Sequence, residues 1–467
     1  MTSSAGPRRS MALPAALLVA LLLLALPAIA AAAKPGTLTQ LQGKNGCLAD
    51  RFKPAGSCSR VRALEGPGPF MGSRAIAVSP DGRNVYVASS ESDAIAIFAR
   101  DKRSGALSQG PGTIGCVSAG GVGNCAPAIG LDEPNSVALS PDGRNVYATS
   151  RLGNSVTTFV RNPKTGGLRQ LPPNFPGCIS GLPLPGCVAG QGLGAPDVVV
   201  VSPDGKNVYA GSFFGNAVAA FARNPGNGAL TQLAGSAGCI AEATAGCATG
   251  IALKSVEGLA ISGDGASVYA ATALSNAVVE LVRDPTTGAL TQSSDGSGCI
   301  VDSALAGCTT GRELAGANAV AVSPDDGNVY ATSLFSNSIT SFNRTAATGV
   351  LAQKEGTAGC LIFLRAAGCS FGRALQAPEG LAVSPDGRNV YAAAFETGAI
   401  AVLNRGKKGS VAQKPGAAGC LAPRSLPGCT RARALKGVSS IALSPDGRHL
   451  YSTAFESDAV DVFRRNR

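Results

Sequence analysis

The phrase Ser140-Pro141-Asp142-Gly143-Arg144-Asn145-Val146-Tyr147 recurs roughly every 61 residues, and this period constrains the fold more than any other feature. The copies are Ser79–Tyr86, Ser140–Tyr147, Ser202–Tyr209, Ser262–Tyr269, Ser323–Tyr330, Ser384–Tyr391 and Ser444–Tyr451. The chain has seven tyrosines, and each closes one copy. A fixed period of this length marks a repeat architecture, in which each unit buries its apolar face against the next. Length alone would suggest two or three domains in 467 residues. Seven units of one pattern make one array instead.

Within the second unit, Ser136–Leu139 predicts a short apolar strand, a. Pro141-Asp142-Gly143 predicts a tight turn, because proline presets φ and glycine accepts positive φ. Asn145–Ser150 reads as strand b, Gly153-Asn154 as a turn, and Ser155–Arg161, alternating in period two, as strand c. After the polar turn Asn162–Gly167, Leu168–Gln170 reads as strand d. Four short antiparallel strands, small residues in the first, predict a propeller blade. The 61 glycines, 29 prolines and absence of tryptophan suit an all-β chain rich in turns.

The last unit stops after its third strand, Ala459–Arg465. The missing piece lies at the other end: Gly36-Thr37-Leu38-Thr39-Gln40 matches Gly228-Ala229-Leu230-Thr231-Gln232 and Gly288-Ala289-Leu290-Thr291-Gln292. The expected fold is therefore an all-β, seven-bladed β-propeller of four-stranded antiparallel blades, with residues 36–41 completing the last blade. A closed ring leaves no open sheet edge, and the chain is expected to be a monomer.

Residues 1–33 read as a signal peptide. Arg8 and Arg9 precede the apolar Ala12–Pro27, and Ala28-Ile29-Ala30 and Ala31-Ala32-Ala33 offer small-residue cleavage sites. Residues 34–467 are then one exported propeller domain without a membrane span. The formal charge of +11 is spread over the repeats. That predicts a mildly basic, solvated surface rather than a nucleic-acid interface.

Fourteen cysteines fall two per repeat, between strand d and the next strand a. The pairs are Cys47 with Cys58, Cys116 with Cys125, Cys178 with Cys187, Cys239 with Cys247, Cys299 with Cys308, Cys360 with Cys369, and Cys420 with Cys429. An even count, regular spacing and a leader predict disulfides within each loop. The spacing is not C-x-x-C, and the single histidine, His449, cannot help supply seven zinc sites. The clips rigidify long connections, or they build a recognition surface.

The d-to-a and b-to-c connections of a propeller share one face. Alignment places Arg74, Asn135, Asp197, Glu257, Asn318, Glu379 and Ser439 at the entrance to strand a, a candidate ligand-binding ring at the channel mouth. Asn135, Asp197, Glu257, Asn318 and Glu379 form an oxygen-donor set suited to a hard cation such as calcium; channel water or strand capping would account for them equally. The b-to-c turns carry Phe213, Phe214, Phe335, Phe395 and Phe455, which either bind a protein or carbohydrate or pack beneath the loops. Arg100, Arg161, Arg223, Arg283, Arg344, Arg405 and Arg465 end strand c in every unit and read as framework. No histidine-based triad is available, and there is no G-x-x-x-x-G-K-[ST] loop.

The phrase S-P-D-G-R-N-V-Y followed by an N-x-V-x-x-F strand, best seen in Ser140–Phe159 and Ser202–Phe221, resembles the lactonase-type seven-bladed propellers. These include 6-phosphogluconolactonase-like proteins and YVTN-repeat surface proteins. A shorter stretch, Pro134–Asp142, resembles the metal-binding phrase of regucalcin-like gluconolactonases. That resemblance implies Asn135 as a metal ligand, with Glu379 at a matching position. Two functions remain open. One is a secreted, disulfide-stabilised binding or scaffold module working through its loop face. The other is a lactonase-like hydrolase with a divalent metal at the channel mouth. The first is expected, without catalysis and without a fixed cofactor.

Overall fold

Pro141-Asp142-Gly143 turns the chain between strand a (Pro134–Leu139) and strand b (Asn145–Ser150) of the second blade, and c (Ser155–Arg161) and d (Leu168–Gln170) follow. The computed structural model describes residues 1–4, 6, 34–52, 56–68, 74–172, 175–364, 366–423 and 426–467. The expected leader and its cleavage sites lie almost wholly outside the described residues. No helix of those described is long and apolar enough to cross a membrane.

The blades differ from expectation in one respect. Each sheet has six strands, not four. In the second blade strand c pairs with d along its C-terminal half, Phe159 opposite Gln170. Its N-terminal half pairs with a further strand e (Cys178–Ser180), Ser155 opposite Ser180. A two-residue strand f (Val188–Ala189) then runs parallel to e. The connection expected as loop is thus partly sheet. Strands this short show no alternation, which is why the sequence does not announce them.

The cysteines pair within their own loops, as their spacing predicts. Cys47 is bonded to Cys58, Cys116 to Cys125, Cys178 to Cys187 and Cys239 to Cys247. Cys299 is bonded to Cys308, Cys360 to Cys369 and Cys420 to Cys429. The first cysteine of each pair opens strand e, so each bond ties the sheet to the loop that follows it. No cysteine among the described residues is free.

The ring closes as the termini predict. Leu38–Gln40 pairs antiparallel with Ala459–Arg465, Leu38 opposite Arg465. Cys47–Asp50 and Ser59–Val61 add the e and f strands of the same sheet. The N-terminal segment therefore supplies three strands to a blade whose other three come from the C-terminus.

Cores form between blades rather than within them. Tyr147 and Val156 of the second blade pack with Val208 and Phe221 of the third. Val85 and Phe98 of the first pack with Tyr451 and Val460 of the last. Strand a must be thin where it nears its neighbours. A Cβ on Gly258 would lie 2.6 Å from the Asn318 carbonyl of the next blade.

The Asp-Gly turns and the strand-c arginines form a lock between successive blades. Arg161 Nε donates to Tyr86 Oη at 2.8 Å, and its Nη2 reaches Asp81 at 2.9 Å and Asn84 Oδ1 at 2.6 Å. Nη1 donates to the Gly143 carbonyl at 3.0 Å. Tyr86 Oη donates in turn to the Gly166 carbonyl at 2.8 Å. Gly166 has φ +80°, and a Cβ there would strike the Asn84 amide at 2.1 Å. Equivalent Arg–Asp pairs join every neighbouring pair of blades, including Arg100–Asp446 across the seam. Two copies vary. At the seam His449 Nδ1 stands where asparagine usually does, 2.8 Å from Arg100 Nη2. Burial first, then the Arg100 charge, lowers the His449 pKa to about 4, so the ring is neutral at pH 7. Between blades four and five Ser267 replaces the asparagine and bonds to the buried Glu280 at 3.0 Å.

Candidate functional site

In six of the seven blades strand a begins with a bulge, and the bulged residue is the aligned ring position. In the second blade Pro134 pairs with Ser150 and Ser136 with Thr149, so Asn135 is the extra residue between them. The same register shift sets off Asp197, Glu257, Asn318, Glu379 and Ser439. A bulge re-aims one side chain out of the alternating pattern. Here it turns a polar group into the layer where blades meet, and all six are almost fully buried. Arg74 of the first blade is half-buried and lines the axial cavity.

That cavity has a volume of about 470 Å³, and among the described residues every lining side chain except Arg74 is apolar. Ile76, Val78, Val137, Leu139, Val201 and Ile261 are typical, all from strand a. The other six ring residues lie behind this lining rather than in it.

The structure brings three ring positions together, Asn135, Asp197 and Glu257. Asn135 Nδ2 donates to Asp197 Oδ1 at 2.6 Å, and Asp197 and Glu257 repel across adjacent blades. Burial pushes the Asp197 pKa up to about 7, against the pull of Arg151 and the Asn135 bond. Burial, then the Asp197 charge, raises Glu257 well above the carboxylate range. Ser255 donates to Glu257 Oε1 at 3.1 Å. Elsewhere in the ring Asn318 Oδ1 accepts from Thr332 at 2.8 Å, and Ser439 donates to the Gly68 carbonyl at 2.7 Å. Among the described residues no three His, Cys, Asp or Glu side chains gather as a metal-binding group. Asn135 Oδ1 and Asp197 Oδ2 are buried oxygens with no hydrogen-bond partner, against the six to eight oxygens calcium takes.

The b-to-c turns on the same face are more open. Of the five phenylalanines expected there, Phe214 and Phe335 are exposed, at 72% and 65%. Phe213 lies edge-on beneath Phe214, with centroids 4.9 Å apart, and Arg151 stacks on its ring. Phe395 is buried and packs against Phe455. Pattern-reading by aromatic residues missed two members of the exposed set. Leu152 and Leu274 occupy the same turn position as Phe214 and Phe335 and are 61% and 62% exposed. The signal was present in the repeat alignment: the second residue of the turn. The remaining three blades place Glu91, Glu396 and Glu456 there, all exposed.

Residues 62–123 match the family model described as Lactonase, 7-bladed beta-propeller. The fold is a seven-bladed β-propeller. Among solved structures, a candidate 6-phosphogluconolactonase from Bacteroides fragilis has a TM-score of 0.50 at 18% identity, covering 72% of this chain and 81% of its own. The periplasmic gluconolactonase of Pseudomonas aeruginosa gives 0.50 at 20% identity, with 81% and 93% covered. Hydrazine synthase of Kuenenia stuttgartiensis gives 0.50 at 16% identity, with 85% and 96% covered. No curated protein matches the sequence. Likeness at this level of identity shows the fold, and function has to be argued from the site.

Proposed function

We propose that this lactonase-type propeller is an exported binding module that engages a partner through the face carrying its b-to-c turns and cysteine loops. One observation carries the reading: four consecutive blades present a bulky apolar side chain, more than half exposed, at one equivalent turn position. Exposed apolar side chains scattered singly need no explanation, whereas a set repeated along one face marks an interaction surface. The seven disulfides favour an oxidising compartment. A photo-crosslinking amino acid at position 214, compared with one at position 144 on the opposite face, tests the reading on intact cells. A discrete adduct from position 214 alone is expected. Equal labelling of both faces, or none, would sink it.

Asp197 favours a second reading, a lactone hydrolase. Its carboxylate accepts from Asn135 at 2.6 Å and keeps a second buried oxygen, Oδ2, without a hydrogen-bond partner. In this reading Asn135 and Asp197 contribute oxygens to a divalent cation that would polarise the lactone carbonyl, with Glu257, Asn318 and Glu379 in reserve around the ring. A calcium-dependent rise in melting temperature that disappears in Asp197→Ala, together with hydrolysis of a lactone panel, would support it. Neither effect in the oxidised mature protein would end it.

A further inference from the structure

The second residue of the b-to-c turn divides the ring into two sectors. Blades two to five carry Leu152, Phe214, Leu274 and Phe335; blades six, seven and one carry Glu396, Glu456 and Glu91. All seven are exposed. Neither sector is interrupted, so an apolar arc meets an acidic arc at two points on one circle.

The turns bearing these residues are fixed. Asn154 Oδ1 accepts the Ala195 amide of the next blade at 2.8 Å, and Asn216, Asn276 and Asn337 repeat the bond at 2.9, 2.8 and 2.7 Å. Each asparagine sits at positive φ, between 46° and 52°, a conformation asparagine tolerates better than most residues. The four apolar side chains are therefore displayed on preorganised loops, which lowers the entropic cost of binding. Near one junction the acidic sector deepens. Glu133 N donates to Asp93 Oδ1 at 2.8 Å, the Asp132 carbonyl accepts the Gly153 amide of the Leu152 turn at 3.1 Å, and Asp132 and Asp93 repel. A chain of formal charge +11 thus gathers negative charge beside its exposed apolar side chains.

Building on the loop-face reading, we infer that the partner is a polypeptide segment whose bulky apolar side chains are flanked by lysine or arginine. Its apolar part lies over the turns of blades two to five, and its cations reach Glu91 and Glu396, and Glu456 in competition with Lys436, which stands 2.5 Å from it. A sugar is disfavoured, because Leu152 and Leu274 offer no ring face for stacking. An anionic lipid surface would meet the acidic sector with like charge. Charge complementarity of this kind sets partner choice and on-rate more than affinity.

The test is titration of the mature, oxidised protein with three synthetic peptides of equal length. One combines Leu and Phe with Lys, one Leu and Phe with Glu, and one Ser with Lys. The first should bind at least tenfold more tightly than the others, and salt should weaken it. Leu152→Ser, Phe214→Ser, Leu274→Ser and Phe335→Ser combined should cost tenfold or more. Glu91→Gln, Glu396→Gln and Glu456→Gln combined should erase the preference for Lys over Glu. These positions are exposed, and an unchanged thermal melt confirms folding. Equal, arc-dependent binding of the Lys and Glu peptides would overturn the cationic partner and leave the loop-face reading standing. Tighter binding to phosphatidylglycerol vesicles, or dimerisation lost in the serine variant, would overturn it in favour of a lipid surface or a second copy. Binding of no peptide overturns it as well, and the loop-face reading then rests on the position-214 adduct alone.

Discussion

At the Asp-Gly face of the ring seven arginines meet seven aspartates, one pair at every blade interface. At the opposite face the corresponding turn residue runs Glu, Leu, Phe, Leu, Phe, Glu, Glu. Both faces are made by the same units with the same strand register. The first is uniform because each copy has the same task, holding its neighbour. The arginines there are nearly buried, so their charge must be paired and their donors satisfied. The second face is free of that constraint. Its turns are capped by asparagine in blades two to five and by Asp93 and Asp458 in blades one and seven, with Gly398 in the sixth, while the displayed side chain changes. Repetition therefore marks what builds the ring, and departure from repetition marks what the ring presents.

The sharpest way to break this comparison is to remove one lock. Arg161→Met leaves Tyr86, Asn84 and Asp81 without their shared partner and should cost about 3–5 kcal/mol in denaturant unfolding. Phe214→Ser, on the other face, should change stability by no more than about 0.5 kcal/mol. Similar costs for the two would erase the distinction. Removing a clip comes next. Cys239→Ala with Cys247→Ala opens an eight-residue separation, worth about 2.5 kcal/mol in the chain-entropy model. It should leave the blade ladders a to c intact by circular dichroism.

The ring layer answers to pH. The Asp197 pKa is raised to about 7, so the folded state holds a proton that the unfolded state has lost above its ordinary value. Stability falls as pH rises from about 4 to 7 and stays lower above it. Asp197→Asn should therefore raise stability at pH 8, with the gain disappearing near pH 4. The smallest effect belongs to the seam. The His449 pKa is lowered to about 4, so its contribution is complete above the unfolded value near 6.5 and is lost as pH falls through the folded one. His449→Asn should leave the melt at pH 7 nearly unchanged and flatten the acid limb between about pH 6.5 and 4.

Much of the fold was legible because the repeat made it so. Strands b, c and d of the second blade fall where alternation and the Pro-Asp-Gly turn place them, and the N-terminal strand closes the ring as Gly36–Gln40 implies. Strands e and f escaped, since two to four residues cannot show a period. The ring positions were found by alignment, but their setting was not. A bulge at six of the seven sends the side chain behind the channel lining, and no single-residue signal encodes that turn. The same limit applies to the apolar face. Reading for aromatic residues singled out Phe395, which is buried, and passed over Leu152 and Leu274, because exposure depends on turn position rather than residue type.

Hydrogen–deuterium exchange of the oxidised protein, with and without the Leu/Phe–Lys peptide, separates the face that binds from the face that builds the ring. New protection is expected at turns 151–154, 213–216, 273–276 and 334–337 and, more weakly, at the acidic turns of the same face, with the Asp-Gly turns unchanged. Protection centred on the Asp-Gly turns, or spread evenly over both faces, would contradict this division of the faces.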